Sequence, residues 1–217
     1  MKKTIFFFMA SMILFNNMPY AEVSDKKPAI EKKEEASQLV QKGNKSFGAQ
    51  LYDDAITYYK QAIALDPGSL DAHYDLGVTY GKKGMLDESI AAYTKVIAID
   101  PHHAQAHNNL GTAYEQKGMV NEAHSAYEKA VAADPNLAPA QYNLGKSYLS
   151  KGMKSLAAEH LHKAGLLFLK SGSKDWVMNA FNLLKQTNSK DLEKDLYEKI
   201  NPSPKDQEKK VKKSEGR

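Results

Sequence analysis

A period constrains this chain more than any other feature. Asp-Pro stands at Asp66-Pro67, Asp100-Pro101 and Asp134-Pro135, every 34 residues. Leu76-Gly77, Leu110-Gly111 and Leu144-Gly145 keep the same interval, as do Tyr80, Tyr114 and Tyr148. Tyr59, Tyr93 and Tyr127 form another series, and Ala55, Ser89, Ala123 and Ala157 a series of small residues. Lys-Gly-Met recurs at 83–85, 117–119 and 151–153. Chance does not hold so many residue types in phase.

Each period carries two helical stripes. Ala106, Leu110, Ala113 and Tyr114 form one, and Ala123, Ala126, Tyr127, Ala130 and Val131 the next. Lys-Gly closes the first helix, because Gly accepts the left-handed cap conformation. Pro closes the second by withholding an amide and restricting the residue before it. Gly111 and Ala123 leave room where the two helices cross, and Tyr114 and Tyr127 fill the space beside them.

The spacing of Leu110-Gly111, Tyr114, Ala123, Tyr127, Ala130 and Pro135 resembles the tetratricopeptide repeat, a 34-residue helix–turn–helix unit. The blocks are 36–69, 70–103, 104–137 and 138–171. The outer two are degenerate. The first has Lys42 for the Leu and Gln50 for the Gly; the fourth has Leu161 for the second aromatic and Leu169 for the Pro. The resemblance implies an all-α, right-handed superhelical solenoid. One such unit cannot bury its apolar face alone, so the last block needs a lid. Residues 172–200 are expected to supply it as a helical cap or degenerate fifth repeat, with Trp176, Val177, Ala180, Phe181 and Leu184 as its core stripe.

The flanks differ in kind. MKKTIFFFMASMILF has the charged start and short apolar run of a secretory signal, expected to be cleaved after Ala21. The run is roughly 18 Å long as a helix, short of a ~30 Å hydrocarbon core; an uncleaved membrane anchor is the alternative. Residues 22–35 read as a charged linker that becomes helical near the first block. Residues 201–217 read as a disordered lysine-rich tail of net charge +3, a solvating segment with possible weak contact to a membrane or acidic surface. The chain has no cysteine, which excludes disulfides and thiolate chemistry, and its net charge of +4 does not argue for nucleic acid.

Two motifs suggest chemistry. His102, His103 and His107 cluster in DPHHAQAH, and His103 and His107 have the spacing of paired ligands on one helix face. No third ligand accompanies them, and Gln141 holds the register of His107 in the fourth block, as His73 does in the second. AQYNLGKS, residues 140–147, satisfies a loose phosphate-loop pattern, but Gly145 and Tyr148 are in-phase positions of a helix whose amides are already bonded. Asp53-Asp54 and Asp87-Glu88 are solvated starts of second helices. No metal, cofactor or catalytic residue is therefore assigned, and the expected class is non-enzymatic.

In the family that the chain resembles, the first helices line a concave face that holds a peptide or helix of a partner. The resemblance implies a groove of Val40, Asn44, Phe47, Tyr74, Val78, Lys82, Asn108, Thr112, Glu115, Tyr142, Lys146 and Leu149, with Asn109 and Asn143 at places where members hold a partner's backbone. Apolar anchors alternate with amides, which suits an extended or helical partner. The clamp for a terminal carboxylate in chaperone-binding members is incomplete here: Val40 stands where Lys is expected, and the third block has Gln105 and Asn109 for Lys and Arg. The expected function is a protein or peptide-binding scaffold or adaptor of the exported bacterial type, in the periplasm or secreted, serving envelope assembly or secretion. The alternatives are a secretion chaperone retained in the cytoplasm and a metal-binding protein using His102, His103 and His107.

Overall fold

The computed structural model describes the backbone of residues 20–202 and the side chains of residues 28–202. The expected signal segment up to residue 19 and the expected tail beyond Pro202 lie outside the described residues. Among the described residues there are ten helices and no strand, the all-α class that the repeat implies. None of these helices is long and apolar enough to cross a membrane.

The chain divides into two compact units between Lys83 and Gly84. The first holds α1 (Tyr20–Gly48), α2 (Tyr52–Leu65) and α3 (Leu70–Lys82). The second holds α4 (Leu86–Ile99), α5 (Ala104–Gln116), α6 (Val120–Ala133), α7 (Ala138–Ser150), α8 (Lys154–Lys170), α9 (Lys174–Lys185) and α10 (Lys190–Ile200). Within each unit neighbouring helices pack in chain order, and successive first helices also touch, α1 on α3 and α5 on α7.

The Asp-Pro period acts through a specific turn. At Asp66, Asp100 and Asp134 the helix stops in extended backbone. Each carboxylate then accepts the amide two residues on: Gly68 at 3.2 Å, His102 at 3.0 Å and Asn136 at 2.8 Å. The Asp main-chain carbonyl accepts the amide three residues on, from Ser69, His103 and Leu137. Pro fits the second position of such a turn, and Asp satisfies the amide that the helix leaves behind. Block four lacks the Pro, and α8 runs 17 residues where α2, α4 and α6 run 14.

The small positions are close approaches of two helices. A Cβ on Gly43 would lie 2.4 Å from the Tyr59 ring, one on Gly111 2.6 Å from Tyr127, and one on Gly145 2.8 Å from Leu161. Inside a block the turn uses a left-handed residue, Gly84, Gly118 or Gly152; in block one Gln50 takes that conformation with φ 62°. A side chain there is strained by about 1 kcal/mol relative to Gly. Gln50→Gly is therefore expected to stabilise the protein by about 1 kcal/mol in urea unfolding, since Gln50 is exposed and loses little by truncation.

Two expectations are revised, the linker and Trp176. Helix α1 begins at Tyr20, so the charged segment 22–35 is helical throughout, with Pro28 inside it. Residues 28–35 are exposed there, so this stretch is a helical extension with little to bury. The cap is two helices, α9 and α10, both seated on α8. Val177, Ala180, Phe181 and Leu184 are buried as expected, but Trp176 is 50% exposed and stands outside the core stripe. Leu196 of α10 is also fully buried, against Ala157, Leu161 and Leu184.

Candidate partner-binding face

The first helix of each block must present side chains on one flank while its other flank packs on the second helix. In the first unit, α1 and α3 bring together Asn44, Phe47 and Val78 of the expected groove, with Tyr59 of α2 beneath them and Asp75 beside them. These five line a cleft of about 200 Å³. The Tyr59 hydroxyl donates to the Asn44 amide oxygen at 2.6 Å, and Asn44 hydrogen-bonds the Asp75 carboxylate. Phe47 leans on Tyr52 at 5.6 Å. Burial, followed by the nearby Asp71 carboxylate, raises Asp75 to about 6, while the Asn44 bond opposes them. Burial also raises the Tyr59 hydroxyl, with the Asp75 charge adding to it. Among the described residues no lysine or arginine pairs with Asp75.

The sign of that shift has a consequence. A carboxyl that is harder to ionise in the folded state contributes stability below its ordinary value of 3.8 and loses it as pH rises through about 6. Asp75→Asn is thus expected to be more stable than the parent by about 1 kcal/mol near neutral pH, after allowance for solvent screening. Urea midpoints between pH 4 and 7 test this: the parent's advantage from Asp75 declines across the window and the variant's profile is flatter.

In the second unit the in-phase residues are engaged. Asn143 of α7 donates to Asn108 of α5 at 2.9 Å, and Asn108 donates to Asn109 at 3.3 Å. The Tyr127 hydroxyl donates to Glu115 at 3.1 Å, and Lys146 bonds the same carboxylate at 3.0 Å. This pair is about 40% exposed at both ends and contributes little stability, but it occupies the face. Tyr142 stands edge-on to Trp176 at 5.5 Å and to Phe168 at 6.4 Å, and Trp176 stacks on Phe168 at 5.5 Å. An aromatic shelf with an exposed Trp therefore adjoins the amide pair.

The remaining expected residues divide by burial. Val40 and Asn108 are buried, so they support the face and do not line it. Tyr74, Thr112 and Leu149 are half-buried, and Leu149 packs against the cap core. Lys82 is exposed; it stands in the register of Gly48, Gln116 and Ser150, one residue past that of Phe47, Glu115 and Leu149. Sequence reasoning missed Tyr59, Asp75, Phe168 and Trp176. Asp75 carries a legible signal, since it holds the register of Asn109 and Asn143.

The two suggestive motifs have local roles. His103 is the N-cap of α5, its Nδ1 accepting the Ala106 amide at 3.1 Å. His107 Nε2 bonds the Pro101 carbonyl at 2.9 Å. His73 makes the same bond to Pro67 at 3.0 Å, and the Gln141 amide donates to Pro135 at 2.8 Å. The register thus calls for a donor reaching back to the Pro carbonyl, which His and Gln both provide. His107→Gln is expected to stay within about 0.5 kcal/mol of the parent, and His107→Ala to lose about 2 kcal/mol by losing both the bond and its buried bulk. Chemical denaturation of the pair measures both. In AQYNLGKS, Gly145 lies under Leu161, Lys146 meets Glu115, and Ser147 bonds His124 Nδ1 at 2.9 Å. That bond turns His124 toward the first helix α7. Burial, then Lys151, lowers the His124 pKa.

These elements define a class: tandem helix hairpins whose first helices carry a mixed polar and apolar face. Residues 43–84 and 82–118 match the family described as TPR repeat, and residues 104–137 the family described as Tetratricopeptide repeat. No curated protein matches the chain significantly. Among solved structures it is similar to the MamA protein, at 26% identity and TM-score 0.62, covering 82% of this chain and 95% of that one. It shares its fold with the first TPR of Spaghetti (RPAP3) bound to the HSP90 peptide SRMEEVD, at 23% identity and TM-score 0.54, covering 55% and 95%. It also shares it with TTC0263, a thermophilic TPR protein of Thermus thermophilus, at 21% identity and TM-score 0.52, covering 76% and 98%.

Proposed function

We propose that this chain is an exported, non-enzymatic interaction scaffold that binds a peptide or helix of a partner protein on its first-helix face, in envelope assembly or secretion. One observation carries the binding reading: the half-buried Asn143, held by the buried Asn108 of the adjacent first helix, stands next in the chain to Tyr142, whose ring meets the exposed Trp176. Amides suit a partner's backbone and exposed aromatics suit its apolar anchors. The SRMEEVD complex of the Spaghetti domain supports peptide capture by this fold. The acidic terminus of that peptide does not suit this face, where Val40 replaces a cation and Asp75 adds a negative charge. Export is supported by the Lys2-Lys3 start and the apolar run from Ile5 to Phe15.

Cross-linking and pull-down from native envelope test the reading, comparing the parent with Tyr74→Ala plus Tyr142→Ala. The double variant is expected to keep its helicity and lose its principal partner. An unchanged partner set with intact helicity contradicts the proposed face. N-terminal sequencing of the host protein is expected to begin near Glu22; a start at Met1 contradicts cleavage.

A further inference from the structure

The internal repeats allow one position to be compared with itself. In the second unit, Glu115 holds the register of Phe47 and Lys146 that of Val78, and the two form an ion pair across adjacent first helices. The face is closed there by its own charges. In the first unit the same two places are apolar, and between them lies a carboxylate that no lysine or arginine among the described residues neutralises. Its neighbour one turn away, Asp71, adds negative charge. A cleft of about 200 Å³ falls below the ~300 Å³ at which small-molecule sites begin, so it suits a single side chain.

We propose that this cleft takes a lysine or arginine side chain of the partner segment, its aliphatic stem on Phe47 and Val78 and its cation on the Asp75 carboxylate. The occupant follows from chemistry on both ends. A stem of methylene groups covers the Phe47 and Val78 walls, and the cation neutralises a carboxylate that folding leaves half-buried and uncompensated. The raised proton affinity of Asp75 agrees with this, because a site that penalises a lone charge rewards the arrival of the opposite one. The remaining polar atoms are already arranged: Tyr59 fixes Asn44, and Asn44 fixes the carboxylate. The inference rests on the partner-binding reading above and gives it a sequence requirement.

The test uses the full chain and fluorescein-labelled pools of acetylated, amidated nonapeptides whose central residue is fixed as Lys, Arg, Gln, Leu or Glu, read by anisotropy. The Lys and Arg pools are expected to bind at least about ten-fold tighter than the Gln, Leu and Glu pools. Asp75→Asn, which preserves shape, is expected to remove that preference. Val78→Lys is expected to do the same by supplying an internal cation, as Lys146 does for Glu115. Equal binding of all pools, or a preference that survives Asp75→Asn, overturns the cleft assignment while leaving the peptide-binding face intact. Binding of no pool also overturns it, and the native-envelope capture then decides the broader reading separately. Self-association that Asp75→Asn abolishes in sedimentation overturns it in favour of a second copy of the chain.

Discussion

Gly111→Ala is expected to destabilise the protein by about 2 kcal/mol, although alanine is the better helix former by about 1 kcal/mol. The propensity gain loses because the added Cβ meets two atoms of the Tyr127 ring at 2.6 and 2.7 Å and the Ala123 carbonyl oxygen at 3.1 Å. The ring has no room to yield. Tyr127 is 1% exposed, and its hydroxyl is held by Glu115 at 3.1 Å and Thr112 at 3.5 Å. Gly111→Val adds two further carbons to the same crossing and is expected to cost about 4 kcal/mol. Urea unfolding followed by circular dichroism measures both. In a double-mutant cycle, Tyr127→Ala opens the space, so the penalty of Gly111→Ala is expected to shrink by at least about 1 kcal/mol. An alanine variant as stable as the parent contradicts the account of the helix crossing.

Leu196→Ala has the second large effect, about 3 kcal/mol. Leu196 is fully buried in the cluster of Ala157, Ala158, Leu161, Phe181 and Leu184, and its methyls reach the Cα of Gly165 so closely that a Cβ there would lie 2.6 Å away. Removing it opens a cavity between α8 and α10 that rigid neighbours cannot fill. Trp176→Ala, despite the larger residue, is expected to cost only about 1 kcal/mol, because half of the side chain already faces water. The order of the two penalties tests where the lid's stability resides. If Trp176→Ala proves the more damaging, the cap is held by its aromatic shelf and not by α10.

The repeat was legible because local chemistry and packing act at the same places. Asp100-Pro101 makes its own turn through the carboxylate and the Pro ring, and Gly111 answers to Tyr127 one helix away, so both recur in phase. The long α8 was not anticipated, because loss of the Pro at Leu169 removes a stop without saying where the helix then ends. Trp176 misled for a different reason. It lies on the apolar stripe of its helix, but α9 is the last layer beside Tyr142, and a stripe does not tell which of its members lacks a covering neighbour. The helical extension through residues 22–35 has little apolar periodicity, leaving a pattern argument nothing to detect. Asp75 holds the register of Asn109 and Asn143, but its behaviour is set by its own charge and burial, which the register does not report.

The measurement that bears most directly on the central claim is backbone amide shift mapping of the isotopically labelled chain, titrated with the partner segment recovered from native envelope. The account predicts that the largest shifts fall on the first helices, around Asn44, Val78, Asn109, Thr112, Tyr142 and Asn143, with Trp176 moving beside them. Shifts confined to the second helices α2, α4, α6 and α8 would contradict it.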